Sequence, residues 1–154
     1  MTTSRMARFH TLEVARITKE TDDTIVIGFH VPAGEKEDFK YIHGQYLTLK
    51  LSVKGEELRR SYSICSSPLD TEEIRIAVKR VTNGRASTQI VENLKVGDKL
   101  EVMPPMGSFY TLIDPAHETH YVAFAAGSGI TPIMSILKTV LRSEPKSRFT
   151  LFYG

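Results

Sequence analysis

Polar and apolar residues alternate along Thr11-Leu-Glu-Val-Ala-Arg-Ile, and a β-branched run, Thr24-Ile-Val-Ile-Gly-Phe-His-Val, stops at Pro32. A period of two puts every second side chain on one face, so both segments are predicted strands. Further strands are predicted over 46–51, 60–65, 74–81 and 99–103, with turn signals at Lys54-Gly55, Ser67-Pro68, Asn83-Gly84 and Gly97-Asp98. One short helical segment is expected over 87–94. Six strands with a single short helix predict a small antiparallel barrel of Greek-key type, since closure hides the sheet edges.

The pattern changes after Ile113-Asp114-Pro115-Ala116. An apolar strand is predicted over 120–126, then a glycine turn, then a helix whose apolar positions Ile133, Ile136, Leu137, Val140 and Leu141 keep helical spacing. The helix is expected to stop near Ser143-Glu144-Pro145, and another strand runs over 149–153. This is βαβ grammar. The chain therefore reads as mainly β: a barrel over 1–113, followed by an incomplete Rossmann-like segment over 114–154. A βαβ piece of this kind leaves apolar surface to be covered, which predicts self-association or fraying after about Asp114.

Composition narrows the choice of partner. Of 154 residues, 41% are hydrophobic and 25% charged, an ordinary globular balance. Twenty basic against 18 acidic residues leave a formal charge of +2, and the basic residues are dispersed, which argues against nucleic acid. Apolar stretches fall well short of the roughly 20 residues a membrane span needs, and the N-terminus lacks a signal-peptide core, so a soluble cytoplasmic protein is expected. Cys65 is the only cysteine, which excludes an internal disulfide and a cluster on about four thiolates within this chain. His10, His30, His43, His117 and His120 show no metal-ligand spacing, so no metal site is predicted.

Three constellations carry candidate chemistry. In Arg60-Ser61-Tyr62-Ser63, with Ser66-Ser67-Pro68 behind it, strand alternation puts Arg60 and Tyr62 on one face. A guanidinium beside a phenol suits a ligand with both phosphate and a planar ring. Four residues alone better describe a plain strand with an exposed arginine and a half-buried tyrosine. In Asn83-Gly84-Arg85-Ala86-Ser87-Thr88, a turn opens a helix, where unpaired amides bind anions; a Ser87 or Thr88 cap is the plain alternative. In Ala125-Ala126-Gly127-Ser128-Gly129-Ile130-Thr131-Pro132, the glycines suit a strand-to-helix turn close to a pyrophosphate, with Thr131 as N-cap and Pro132 in the first helical position. The pattern is G-x-G-x-x-P rather than the dinucleotide fingerprint, so by itself it describes a plain turn equally well. The acidic pairs Asp22-Asp23, Glu56-Glu57 and Glu72-Glu73 are expected in solvated turns, and Lys79-Arg80 as a rim contact to phosphate, with an ordinary strand end as the alternative.

In this order the motifs resemble the ferredoxin-NADP reductase superfamily, which joins an antiparallel FAD-binding barrel to a Rossmann-like nicotinamide domain. Also similar are His43-Gly44-Gln45-Tyr46-Leu47, Glu57 to Ile64, Ala77-Val78-Lys79 and Pro105-Met106-Gly107-Ser108-Phe109. Within the superfamily the chain looks most like the reductases of the phenylacetyl-CoA oxygenase system and of ring-hydroxylating oxygenases. The resemblance implies that Arg60 contacts the FAD phosphate, that Tyr62 packs on the isoalloxazine and that Ser63 hydrogen-bonds near N5. It implies that Ala77, Val78 and Lys79 line the flavin, that Gly84, Arg85, Ala86 and Ser87 hold the pyrophosphate, and that Gly127, Gly129 and Thr131 form the nicotinamide turn. Tyr62, Ser63 and Thr131 would sit where the cofactors meet. The expected activity is hydride transfer from NADH or NADPH to FAD, then electron transfer to an iron-sulfur domain or ferredoxin and an oxygenase component. The alternative is a non-catalytic binding or interaction barrel. Family members continue beyond this chain through more Rossmann strands and, in the phenylacetate type, a ferredoxin domain.

Overall fold

The computed structural model describes residues 8–70 and 73–154. Six strands form one antiparallel sheet: β1 (His10–Lys19), β2 (Thr24–His30), β3 (Tyr46–Val53), β4 (Glu56–Ser63), β5 (Ile74–Lys79) and β6 (Lys99–Met106). Their order is β4-β3-β6-β1-β2-β5, so β6 inserts between β3 and β1 and the connections are of Greek-key type. The end strands β4 and β5 meet at an isolated antiparallel bridge between Ile64 and Ile76, which closes the sheet on itself. Bulges between Val14 and Arg16 and between Tyr46 and Thr48 add the local bend that closure requires.

Alternation produces the core. Leu12, Val14, Ile25, Ile27, Phe29, Leu47, Leu49, Ile64, Ile76, Val78 and Val102 all point inward and are buried. Ala86 and Ile90 of helix α1 (Arg85–Asn93) join them, so the helix plugs the barrel with its apolar stripe. Strand β4 starts earlier than its sequence suggests. Lys54 (φ 52°) and Gly55 (φ 79°) make a two-residue turn of the left-handed kind that matches strand twist, and Glu56 and Glu57 therefore pair with Val53 and Ser52 instead of lying in a turn.

The second layer is small. Strands β7 (His120–Ala125) and β8 (Arg148–Tyr153) pair in parallel, joined by helix α2 (Ile130–Ser143). Ile136 and Val140 of α2 are buried, whereas Leu141, expected on the apolar stripe, is 47% exposed. The glycine run forms a single 3-10 turn, Gly127–Gly129, that leads straight into α2. Consequently Thr131 is not the N-cap and Pro132 is the third helical residue, where its missing N–H still costs nothing. No helix among the described residues is long and apolar enough to cross a membrane.

Candidate functional site

Register on β4 decides what faces what. Tyr62 opposes Leu47 and Arg60 opposes Leu49, so both carry the inward parity of the core leucines. They nevertheless remain exposed (Arg60) and half-buried (Tyr62), because the Ile64–Ile76 bridge does not continue as a ladder toward them. Arg60 donates from Nη1 to the Arg59 carbonyl at 2.7 Å and has no carboxylate partner among the described residues. Burial pushes the Tyr62 phenol above its usual range, while the nearby Arg60 charge pulls it the other way. Ser63 is half-buried at the end of the strand.

Across the seam, Val78 is fully buried in the core and Ala77 half-buried, while Lys79 is exposed with Nζ 3.6 Å from Asp23 Oδ2. The Asn83-Gly84 turn follows, with Asn83 in the left-handed region at φ 60°. A Cβ on Gly84 would come within 2.5 Å of Ser87 Oγ and 2.9 Å of the Val81 carbonyl, so the turn tolerates no side chain there. Ser87 does not cap α1: its Oγ accepts the Val81 N–H at 3.1 Å. Gly84 is the N-cap without a side-chain bond, which leaves the first-turn amides of Arg85, Ala86 and Ser87 free for an anion. Arg85 Nη2 donates to Glu56 Oε2 at 2.8 Å.

Helix α2 is tied to the loop after β4 by polar contacts. Ser135 Oγ donates to the Ser66 carbonyl at 2.6 Å, and Thr139 Oγ1 lies 2.8 Å from Ser67 Oγ. Lys138 Nζ reaches the Cys65 carbonyl at 3.2 Å, and Arg142 Nη1 meets Asp70 Oδ1 at 2.6 Å. Residues 66 to 70 and 135 to 142 run in the same direction. One turn back along α2 from Ser135 is Thr131, whose Oγ1 donates to the Ser128 carbonyl at 2.9 Å, and one short step back from Ser66 is Ser63. These contacts tie α2, which follows the Gly127–Gly129 turn, to the loop that follows the Tyr62–Ser63 end of β4. The α2 contacts were missed in the sequence, although Ser135, Lys138, Thr139 and Arg142 make a polar stripe at helical spacing that could have shown them.

A comparison with family descriptions matches residues 11–110 to the oxidoreductase FAD-binding domain. The chain belongs to this family. It is 48% identical over 149 residues to one component of the 1,2-phenylacetyl-CoA epoxidase of Escherichia coli (strain K12), covering 97% of this chain and 42% of that protein. It is 40% identical over 132 residues to the ferredoxin reductase component of 3-ketosteroid-9-alpha-monooxygenase from Rhodococcus rhodochrous, covering 84% of this chain and 36% of the other. Among solved structures, phthalate dioxygenase reductase, described as a modular structure for electron transfer from pyridine nucleotides to [2Fe-2S], superposes with a TM-score of 0.74. That match has 30% identity and covers 94% of this chain and 43% of that one. The chain thus spans about two fifths of the length of these relatives. The barrel, the incomplete Rossmann-like layer and the ferredoxin reductase kinship expected from the sequence all stand.

The residues present suit FAD. A guanidinium free of carboxylates among the described residues, a half-buried phenol on the same face, and a side-chain-free turn with open amides are the groups that a planar ring carrying a diphosphate requires. Asp23 sits in the β1–β2 turn beside Lys79, Glu56 and Glu57 lie on β4, and Glu72 lies outside the described residues.

Proposed function

We propose that this chain is the flavin-binding part of a nicotinamide-dependent reductase that takes electrons from NADH or NADPH onto FAD. It delivers them to an iron-sulfur domain or ferredoxin and, through that, to an oxygenase component. Residues 1–113 form the flavin barrel and 114–154 the first part of the nicotinamide domain. The observation that carries the reading is the placement of Arg60 and Tyr62 on one face of β4 at the open seam of the barrel; the Ser66–Ser135 and Ser67–Thr139 contacts, which tie the loop after β4 to α2, support a Gly127–Thr131 turn bordering the same site.

When bound, FAD supplies the ability to accept a hydride and release electrons singly. The protein's part is placement. Arg60 grips phosphate, Tyr62 provides an aromatic face, and Ser63 offers its hydroxyl at the reacting edge of the ring. Ala77, Val78 and Lys79 bound the opposite wall through backbone and stem. Gly84, Arg85, Ala86 and Ser87 receive the diphosphate on their amides, with Arg85 turning from Glu56 to add charge. Gly127, Gly129 and Thr131 border the nicotinamide approach.

The single cysteine supports assignment to the cytoplasm, where thiols stay reduced. The bare apolar face of β7 and β8 supports self-association. An absorbance spectrum of the purified chain, alone and titrated with FAD, tests the central point. A bound flavin band near about 450 nm is expected of an oxidised flavoprotein. A folded chain that takes up no flavin would instead favour a non-catalytic interaction barrel.

A further inference from the structure

The run His43-Gly44-Gln45 has no part in the chemistry above, yet each of its residues meets the segment between β6 and β7. Residues 107–114 of that segment are neither helix nor strand, so no ladder fixes them. His43 is buried, and its Nε2 lies 2.8 Å from the Thr111 carbonyl oxygen. A carbonyl only accepts, so the imidazole proton must sit on Nε2. Gly44 holds φ 95°, and a Cβ there would land on the Phe109 carbonyl and stand 3.3 Å from Ile136 Cδ1 of α2. Gln45 is fixed at both ends of its amide: Oε1 accepts the Ile42 N–H at 2.9 Å, and Nε2 donates to the Gly107 carbonyl at 3.0 Å. Positions 43, 44 and 45 therefore meet 111, 109 and 107 in antiparallel order, with side chains and a close backbone approach standing in for strand pairing.

The same segment leads to β7 and hence to α2. On its other side α2 is held through polar contacts to the loop from Cys65 to Asp70. One grip is on α2 and the other on the segment that leads into its layer; together they define the orientation of the layer, and either alone leaves a hinge. We infer that His43, Gly44 and Gln45 form a clamp that sets how the β7–α2–β8 layer is held against the barrel, and that His43 and Gln45 are positioning residues for electron delivery at Tyr62 and Ser63. The kinetic half of this inference rests on the proposed function; the geometric half does not.

Two measurements on the full chain separate them. With Cys65→Ser as background, spin labels at Thr18→Cys on β1 and Leu141→Cys on α2, both exposed, report the barrel-to-helix distance. A single narrow distance is expected for the parent, and a broadened or shifted one for His43→Ala and for Gln45→Ala. His43→Gln, whose amide nitrogen can still donate to Thr111, should restore the narrow distance. Unchanged distances in both alanine variants would overturn the clamp, as would a His43→Gln variant as broad as His43→Ala.

In the second measurement, both alanine variants should keep FAD affinity within about twofold of the parent. They should slow flavin reduction at saturating NADH by about tenfold or more, because misplacement by an ångström carries costs of that size. Reduction as fast as in the parent would overturn the positioning role. A parent that binds no FAD would refute the proposed function while leaving the distance measurement to decide the clamp.

Discussion

Ile64 faces Ile76 across a single antiparallel bridge, both side chains fully buried, and beside it the Cys65 amide donates to the Arg75 carbonyl at 2.8 Å, so the two edge strands of the described sheet are joined there. It lies immediately beyond Ser63 on one strand and two residues before Val78 on the other, so it also sets the width of the seam beside Tyr62. Ile64→Ala removes buried methylenes where the walls cannot readily collapse, and should destabilise the barrel by about 2–5 kcal/mol in urea unfolding. FAD affinity should fall with it. Unfolding within about 1 kcal/mol of the parent would mean that the seam is held elsewhere.

Arg60 and Arg85 both border the seam but differ in what already holds them. Arg85 donates to Glu56, and the partnership lowers the Glu56 carboxyl below its usual range and raises the guanidinium. Among the described residues Arg60 has only its own strand's carbonyl. Arg60→Ala should weaken FAD binding by about 1.5–3 kcal/mol, the worth of a charge-assisted hydrogen bond, while leaving the fold intact. Arg85→Ala should cost less, because its charge is partly neutralised beforehand. Flavin titrations of the two folded variants check the order; equal affinity in Arg60→Ala and the parent would remove Arg60 from the phosphate site.

Much of this arrangement was legible in the sequence, for reasons that particular residues make plain. The strands with strict alternation, such as Thr11 to Ile17, stand where periodicity puts them, since a one-residue slip would expose Leu12 and Val14. The start of β4 was not legible, because Glu56-Glu57-Leu58-Arg59-Arg60 carries one apolar residue in five and its strand character comes from pairing with β3. The Thr131 cap failed for another reason: the glycine turn is itself helical, so the helix needed no side-chain cap. Contacts between residues far apart in the chain were out of reach. His43 with Thr111, Ser66 with Ser135 and Asp114 with Glu144 connect ordinary polar residues whose partners only the fold brings near.

Glu144 illustrates such a contact and yields a pH prediction. It is fully buried at the end of α2, where burial by itself would raise its pKa. Hydrogen bonds from Ser147 Oγ at 2.7 Å, the Asp114 amide at 3.1 Å, His117 Nδ1 at 3.0 Å and Tyr121 Oη at 3.0 Å outweigh that effect. They hold the carboxyl at about 2, against an ordinary 4.5. A depressed folded-state pKa contributes stability that is complete above the ordinary value and is lost as pH falls through the folded one. The β7–α2–β8 layer should therefore weaken between about pH 4.5 and about pH 2. Glu144→Gln should be destabilised at neutral pH by about 2–3 kcal/mol and lose that part of the acid dependence. Acid unfolding curves of parent and variant that stay parallel down to pH 2 would contradict the assignment.

The last prediction concerns the face of the β7–β8 pair turned away from α2. Phe124 is 77% exposed, Phe152 53% and Val122 52%, and the two phenyl rings stack with centroids 4.9 Å apart. Parallel strands ordinarily carry helices on both faces, and here the residues on one face pack on α2 while Val122, Phe124 and Phe152 meet solvent. Both strands also present an outer edge of unpaired backbone groups. An apolar stripe between two open edges favours pairing with a second copy, so the 154-residue chain is expected to sediment as a dimer or larger species. The combined change Phe124→Ser and Phe152→Ser should shift it toward monomer without unfolding the barrel, whose core lies in the other sheet. Sedimentation of the parent as a monomer across its accessible concentration range would show that this face is tolerated bare, and an equally associated double variant would place the contact elsewhere.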